Sequence, residues 1–190
     1  MKKDIILAGV GGQGILTIAT ILGHAALKRG WQLKQAEVHG MSQRGGDVQS
    51  HLRLSDEEIH SDLITMGDAD MILSVEPMES LRYLPYLHEE GWIITNSNPF
   101  KNIPNYPNEE DLYKAIKGIK NHLLFDADAI AKEIKANRSM NIVVLGAAIK
   151  QLGFSEEEIS ESIKAIFASK GETIVEANLR ALVAGIKLSK

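Results

Sequence analysis

Ile5-Ile6-Leu7-Ala8 is an unbroken apolar run that stops at Gly9, the pattern of a strand buried on both faces of a parallel sheet. Beyond the glycines, Ile15, Ile18, Ala19, Leu22 and Ala26 recur at helical spacing, and Lys28-Arg29 with Gly30 supply the end of that helix. Residues 31–38 read as a second strand, so strand, glycine turn, helix and strand fall within one βαβ-sized unit. Residues 48–54 alternate Val48, Ser50, Leu52 and Leu54 with Gln49, His51 and Arg53, which predicts a third strand. Short apolar runs at 71–75 and 92–95 predict two more, with a weaker one at 123–125. Residues 78–87 read as a helix after Glu76-Pro77, and Ile130 and Ile134 mark another amphipathic stretch. Residues 96–108 hold three of the five prolines and predict a long surface loop.

From Ser139 the pattern turns mostly helical. Residues 142–149 are apolar almost all round, which places that helix between layers or against a partner. Ser155 and Glu158 have capping-box spacing ahead of the stripe Ile159, Ile163, Ile166 and Phe167. A last stripe, Val175, Leu179, Leu182, Val183 and Ile186, follows Gly171. The expected fold is α/β: a Rossmann-like open, mostly parallel sheet flanked by helices, with a helical C-terminal third, in a single domain over residues 1–190.

Composition narrows the function classes. The 190 residues are 44% hydrophobic and 24% charged, ordinary for a globular chain. A net charge of −4, spread along the chain, offers no footprint for nucleic acid or an anionic membrane. Cysteine is absent, so this chain has no thiolate for a disulfide, a nucleophile, a zinc site or an iron–sulfur cluster. No signal peptide or 20-residue apolar span is present, and the expected location is the cytoplasm. The six histidines show no metal spacing, so no metal site is expected.

Gly9-Val10-Gly11-Gly12-Gln13-Gly14 satisfies G-x-G-x-x-G after a strand and before a helix. Such a turn lets a ligand approach the backbone, and the helix N-terminus favours phosphate or carboxylate. Gly9, Gly11, Gly12, Gln13 and Gly14 are therefore the candidate cofactor-binding residues. Glu37 lies 23 residues beyond Gly14, near the position of a ribose-binding acid. On these residues alone, NAD or FAD binding stands beside a purely structural role for the glycines. Ile15-Leu16 follow Gly14 where a P-loop requires lysine, which excludes that triphosphate site.

The wording of the turn, together with Glu37-Val38-His39-Gly40-Met41-Ser42-Gln43-Arg44-Gly45-Gly46 and Ser50-His51-Leu52-Arg53, resembles the gamma subunits or domains of the 2-oxoacid:ferredoxin oxidoreductases. Leu73-Ser74-Val75-Glu76-Pro77, Asn141-Ile142-Val143-Val144-Leu145-Gly146 and Asn178-Leu179-Arg180-Ala181-Leu182 resemble later landmarks of the same family. Within it, the branch acting on indolepyruvate and other aryl pyruvates is the most similar. Subunits acting on pyruvate, 2-oxoglutarate or branched-chain 2-oxoacids are the alternative, and a stand-alone NAD- or FAD-dependent oxidoreductase is a weaker one. The resemblance implies oxidative decarboxylation of a 2-oxoacid with coenzyme A to an acyl-CoA, carbon dioxide and two electrons for ferredoxin. It also implies that thiamine diphosphate and the iron–sulfur clusters sit on a large alpha subunit, with no catalytic residue here and no activity for this chain alone. Glu37, Ser42, Gln43, Arg44, Gly45 and Gly46 are then the substrate- or interface-facing candidates. Arg44 offers a planar fork for a carboxylate or phosphate; its alternative is a buried ion pair with Glu37 or Glu76. Glu37 is read as a loop-orienting acid in preference to a ribose ligand.

Overall fold

The computed structural model describes residues 1–39, 46–101 and 103–189. Six strands, β1 (Lys2–Val10), β2 (Gln32–His39), β3 (Asp47–Ser55), β4 (Ala69–Ser74), β5 (Leu87–Asn96) and β6 (Asn121–Phe125), form one sheet in the order β2-β3-β1-β4-β5-β6. β4, β5 and β6 pair in parallel outward from β1, whereas β3 runs antiparallel to both β1 and β2. Five strands thus share one direction, as expected of a mostly parallel sheet. The βαβ expectation needs one correction: β1 and β2 are parallel but not neighbours, because β3 inserts between them and pairs with both.

The helices are α1 (Ile15–Lys28), α2 (Pro77–Arg82), α3 (Glu109–Lys117), α4 (Ala127–Glu133), α5 (Met140–Leu152), α6 (Glu156–Phe167) and α7 (Glu172–Ile186). Alternation along the strands sends Ile5, Leu7, Leu52, Met71, Leu73 and Ile94 into the larger core, beneath α1, α4, α5, α6 and α7. Ile6, Ala8, Ile72 and Ile93 point the other way, onto a smaller cluster with Ile116 of α3, Tyr83 and Ile64. On that second face the fully buried carboxylate of Asp4 accepts two bonds from Arg53, at 2.8 and 3.0 Å.

Helix ends follow local chemistry. Gly30 takes φ +77° and Trp31 N–H bonds back to the Ala26 carbonyl at 3.0 Å, closing α1 in a Schellman turn. The capping box expected at Ser155 and Glu158 is present at the start of α6. Every residue from 141 to 149 in α5 is buried, between the sheet and α7. α5 and α7 approach so closely that a Cβ on Gly146 would lie 2.3 Å from the Leu182 carbonyl oxygen.

Two local expectations are corrected. The helix expected over 78–87 ends at Arg82, and a 3-10 turn, Leu84–Tyr86, carries Pro85, whose missing N–H cannot extend an α-helix. α3 lies in a stretch for which no element was expected. Asn108 caps it, accepting from Glu110 N–H at 2.8 Å, and Glu109, Glu110 and Asp111 favour its N-terminal dipole end. Its buried face has only Leu112 and Ile116, too short a stripe to register as a period.

Candidate functional site

The glycine turn leaves the carboxyl end of β1 and enters α1. Val10 N–H donates to Gln13 Oε1 at 2.7 Å, and Gln13 N–H returns a bond to the Val10 carbonyl at 3.1 Å. The side-chain oxygen of Gln13 is therefore a fastener of the turn. Gly12 and Gly14 take φ +98° and +83°, where a Cβ would be strained. Gly9 serves packing: a Cβ there would lie 2.4 Å from Val75 Cγ2. Gly11 N–H donates to the Gly46 carbonyl at 2.9 Å, joining the turn to the start of β3. Ser42, Gln43, Arg44 and Gly45 lie outside the described residues.

Gly14 is the N-cap of α1, which has no side-chain cap bond and no acid in its first turn. Its positive dipole end is left unneutralised from within the helix. Asn141, in the first turn of α5, donates from Nδ2 to the Gly14 carbonyl at 3.0 Å and fixes the turn against the core. Beside this junction opens a cleft of about 690 Å³ between α1, the α4–α5 corner and α7, within the range of small-molecule sites. Of the turn residues, Gly12, Gln13 and Gly14 line it. Lys132, Lys135, Arg138 and Lys170 also line it, with no Asp or Glu among the described residues. Phe167 and Ile174 add apolar surface. Sequence reasoning missed these cations; three of them at 132, 135 and 138, from the last turn of α4 into the link to α5, were the available signal.

Glu37 is exposed on β2, in register with Ser50 of β3. Inserted β3 sets β2 two strand spacings from β1, about 10 Å instead of about 5 Å. That displacement removes Glu37 from where a dinucleotide fold puts its ribose acid, immediately beside the glycine turn. Glu76, at the carboxyl end of β4, is fully buried and caps α2, accepting from Glu79 N–H at 2.8 Å. Its other oxygen accepts from Phe100 N–H at 3.2 Å and from the Tyr106 hydroxyl, tying the 97–108 loop over the end of the sheet. Burial raises the Glu76 pKa, and these three hydrogen bonds oppose the rise. Among the described residues no group of three or more His, Asp or Glu could hold a metal ion. No helix of the described residues is long and apolar enough to cross a membrane.

The fold and the turn define a class: a Rossmann-like α/β chain that presents a helix N-terminus and a basic cleft at the carboxyl end of an interior strand, β1. Residues 4–188 match the family described as pyruvate ferredoxin/flavodoxin oxidoreductase, and the chain belongs to that family. It is 39% identical to indolepyruvate oxidoreductase subunit IorB of Thermococcus kodakarensis, over 100% of this chain and 98% of the relative. It is 31% identical to the common gamma subunit of the pyruvate/ketoisovalerate oxidoreductases of Pyrococcus furiosus, covering 94% and 92%. Among solved structures, the gamma subunit of a keto/oxoacid ferredoxin oxidoreductase from Geobacter sulfurreducens superposes with a TM-score of 0.72 at 25% identity, covering 98% of both chains.

Proposed function

We propose that this chain is the small subunit of a 2-oxoacid:ferredoxin oxidoreductase that decarboxylates indolepyruvate and related aryl pyruvates oxidatively. The observation that carries the proposal is the full-length likeness to the indolepyruvate subunit, at 39% identity with 98% of that relative covered. Thiamine diphosphate and the iron–sulfur clusters then belong to a large partner subunit, coenzyme A is the co-substrate, and ferredoxin takes the electrons. The sequence suits this division, because without cysteine it has no thiolate to ligate a cluster. This chain's part is binding and assembly, and it is inactive alone. Its glycine turn offers backbone N–H groups to an anionic ligand, and the loop from Ser42 to Gly46, with Glu37, faces substrate or partner.

The test is to purify the tagged chain without oxygen from its native host, then to assay the eluate for a large partner, iron and thiamine diphosphate. Coenzyme A-dependent reduction of a viologen dye is then compared across indolepyruvate, phenylpyruvate, pyruvate, 2-oxoglutarate and 2-oxoisovalerate. Higher kcat/KM on the aryl substrates is the expected result. Preference for pyruvate or 2-oxoisovalerate would move the chain to the gamma subunits of those enzymes, to which it is 31% identical. A colourless chain without a partner, reducing NAD or FAD by itself, would overturn the proposal.

A further inference from the structure

We propose that a second cavity, at the far end of the sheet from the glycine turn, binds a free α-amino acid with an apolar side chain. Asp70 and Gln151 receive its ammonium group, Lys3 its carboxylate and Trp92 its side chain. The cavity holds about 370 Å³, at the low end of small-molecule sites, and opens at the amino ends of β1, β4 and β5 against the last turn of α5. Lys3, Asp70 and Trp92 line it from the three strands, and Gln151 and Leu152 line it from the helix. It exists because β4 and β5 part there. Ala69 pairs with Leu87 and Met71 with Trp92, so two steps along β4 face five along β5, and His88, Glu89 and Glu90 stand exposed. Irregularities of this kind re-aim side chains beside binding sites.

The groups around this cavity complement a zwitterion and do not satisfy one another. Gln151 Oε1 is buried without a hydrogen-bond partner among the described residues, an acceptor in need of an N–H. Asp70 accepts from Asp4 N–H at 2.8 Å with Oδ2, which leaves Oδ1 for a second donor. Glu90, another carboxylate of the cavity, is engaged, both its oxygens accepting from Lys120 at 2.7 Å. Trp92 is half-buried against the larger core and turns the rest of its indole to the opening. An inorganic anion would meet Lys3 and leave Gln151 unpaired, and a simple amine would do the reverse; one molecule with both charges satisfies all three. Lys3 and Gly9 stand six residues apart on β1, about 20 Å, so the ligand is an effector and not a reactant. α5 spans the interval, with Gln151 in its last turn and Asn141, which holds Gly14, in its first. An α-amino acid is the amine counterpart of a 2-oxoacid, so the site would report the amine form of the substrate class; that link alone rests on the reaction proposed above.

The experiment is calorimetric titration of the full-length chain with L-phenylalanine, and with phenethylamine and 3-phenylpropanoate, which each keep the ring and one of the two charges. L-Phenylalanine is expected to bind about tenfold tighter than either, or more. Gln151→Met keeps the length of the side chain and removes the acceptor, and should weaken L-phenylalanine roughly ten- to hundredfold. Its melting temperature should be no lower than wild type, because a buried unpaired oxygen is lost with the amide. Lys3→Met should weaken L-phenylalanine roughly three- to tenfold and leave phenethylamine unchanged. Lys117→Met, at an exposed lysine on α3, should alter none of these affinities. The absence of saturable heat with L-phenylalanine, equal affinity for the one-charge analogues, or binding unchanged in Gln151→Met overturns the site. Saturable binding that depends on Gln151 and Lys3, in a complex that turns over no aryl 2-oxoacid, would keep the site and refute the proposed reaction.

Discussion

Replacing Gly185 by alanine tests how tightly the helical layer is built. A Cβ there would lie 2.1 Å from the Val143 carbonyl oxygen and 2.9 Å from both Ala147 N and Gly146 Cα, where ordinary contact is 3.4–4 Å. All three are backbone atoms of α5, which have no rotamer to turn away, so α7 must retreat by about 1 Å. Overpacking of this kind costs about 1–3 kcal/mol, and the rigid neighbours put it at the upper end. The retreat also thins the contacts around Ala181 and Leu182, both fully buried; a gap of about 1 Å forfeits up to about half of each pair's dispersion well. In the opposite direction, alanine is favoured over glycine inside a helix by about 1 kcal/mol. Sterics win, and Gly185→Ala should lose about 2–3 kcal/mol, lowering the melting temperature by about 4–12 °C. Gly23→Ala is the control. Its Cβ would meet only Leu33 Cδ2 at 3.0 Å, the mobile end of a side chain, so the same helix-propensity gain should leave it within about 1 kcal/mol of wild type. Urea unfolding followed by circular dichroism, with unchanged slope, measures both. A Gly185→Ala protein as stable as wild type, or less affected than Gly23→Ala, would show that α5 and α7 do not pack as described.

Arg29 donates to both oxygens of Glu158 and to the Gly153 carbonyl, and its guanidinium lies 4.4 Å from the Phe154 ring centroid and 5.0 Å from that of Trp31; Arg29→Ala should cost about 2 kcal/mol by urea unfolding. The same contact lowers the Glu158 carboxyl from 4.5 to about 2, so the stability it provides is present above pH 4.5 and lost as pH falls toward 2. The acid limb of the wild-type melting curve should therefore be steeper than that of Arg29→Ala, and equal limbs would contradict the assignment. His51 accepts from Ile64 N–H at Nδ1, and burial, then Arg53, lowers its pKa below 6.5, so its contribution holds above pH 6.5 and falls on acidification below it. His51→Asn should flatten the melting temperature between pH 7 and pH 5; a profile parallel to wild type would count against that role. Glu76→Ala leaves Glu79 N–H, Phe100 N–H and the Tyr106 hydroxyl without their acceptor, costing about 2–4 kcal/mol. Faster proteolysis within residues 97–108 is the specific readout, and cleavage at the wild-type rate would deny that Glu76 holds the loop.

What the sequence shows of this fold is what repeats locally. The run at 5–8, the stripe from Ile15 to Ala26 and the Ser155–Glu158 box are each complete within twelve residues of chain or fewer, and each forms as its spacing requires. The place of β3 is not local. Alternation at 48–54 marks a strand but not its neighbours, and the choice between β3 beside β2 alone and β3 between β2 and β1 depends on pairing across the whole sheet. That choice decides the fate of Glu37, which has the sequence interval of a ribose acid but sits two strands from the turn. The cleft was hidden for a similar reason. Nothing in the local pattern singles out Lys132, Lys135 and Arg138, and only the packed helices bring Asn141 and Lys170 to the same opening.

One helix connects stability to that opening. The first turn of α5 carries Asn141, whose amide holds the Gly14 carbonyl, and a Cβ on Gly14 would lie 2.5 Å from that same Nδ2. Its middle carries Gly146, against which α7 packs backbone to backbone, and α7 in turn presents Ile174 and Asn178 to the cleft. The two walls of the cleft are thus referenced to a single helix buried on every side from 141 to 149. Because close-packed interiors transmit displacement more readily than they absorb it, a shift of α7 from Gly146 changes the cleft as well as the core. The apolar helix, for which the sequence allows a place between layers or against a partner, takes the first and is the frame on which the glycine turn and the basic wall are held in register.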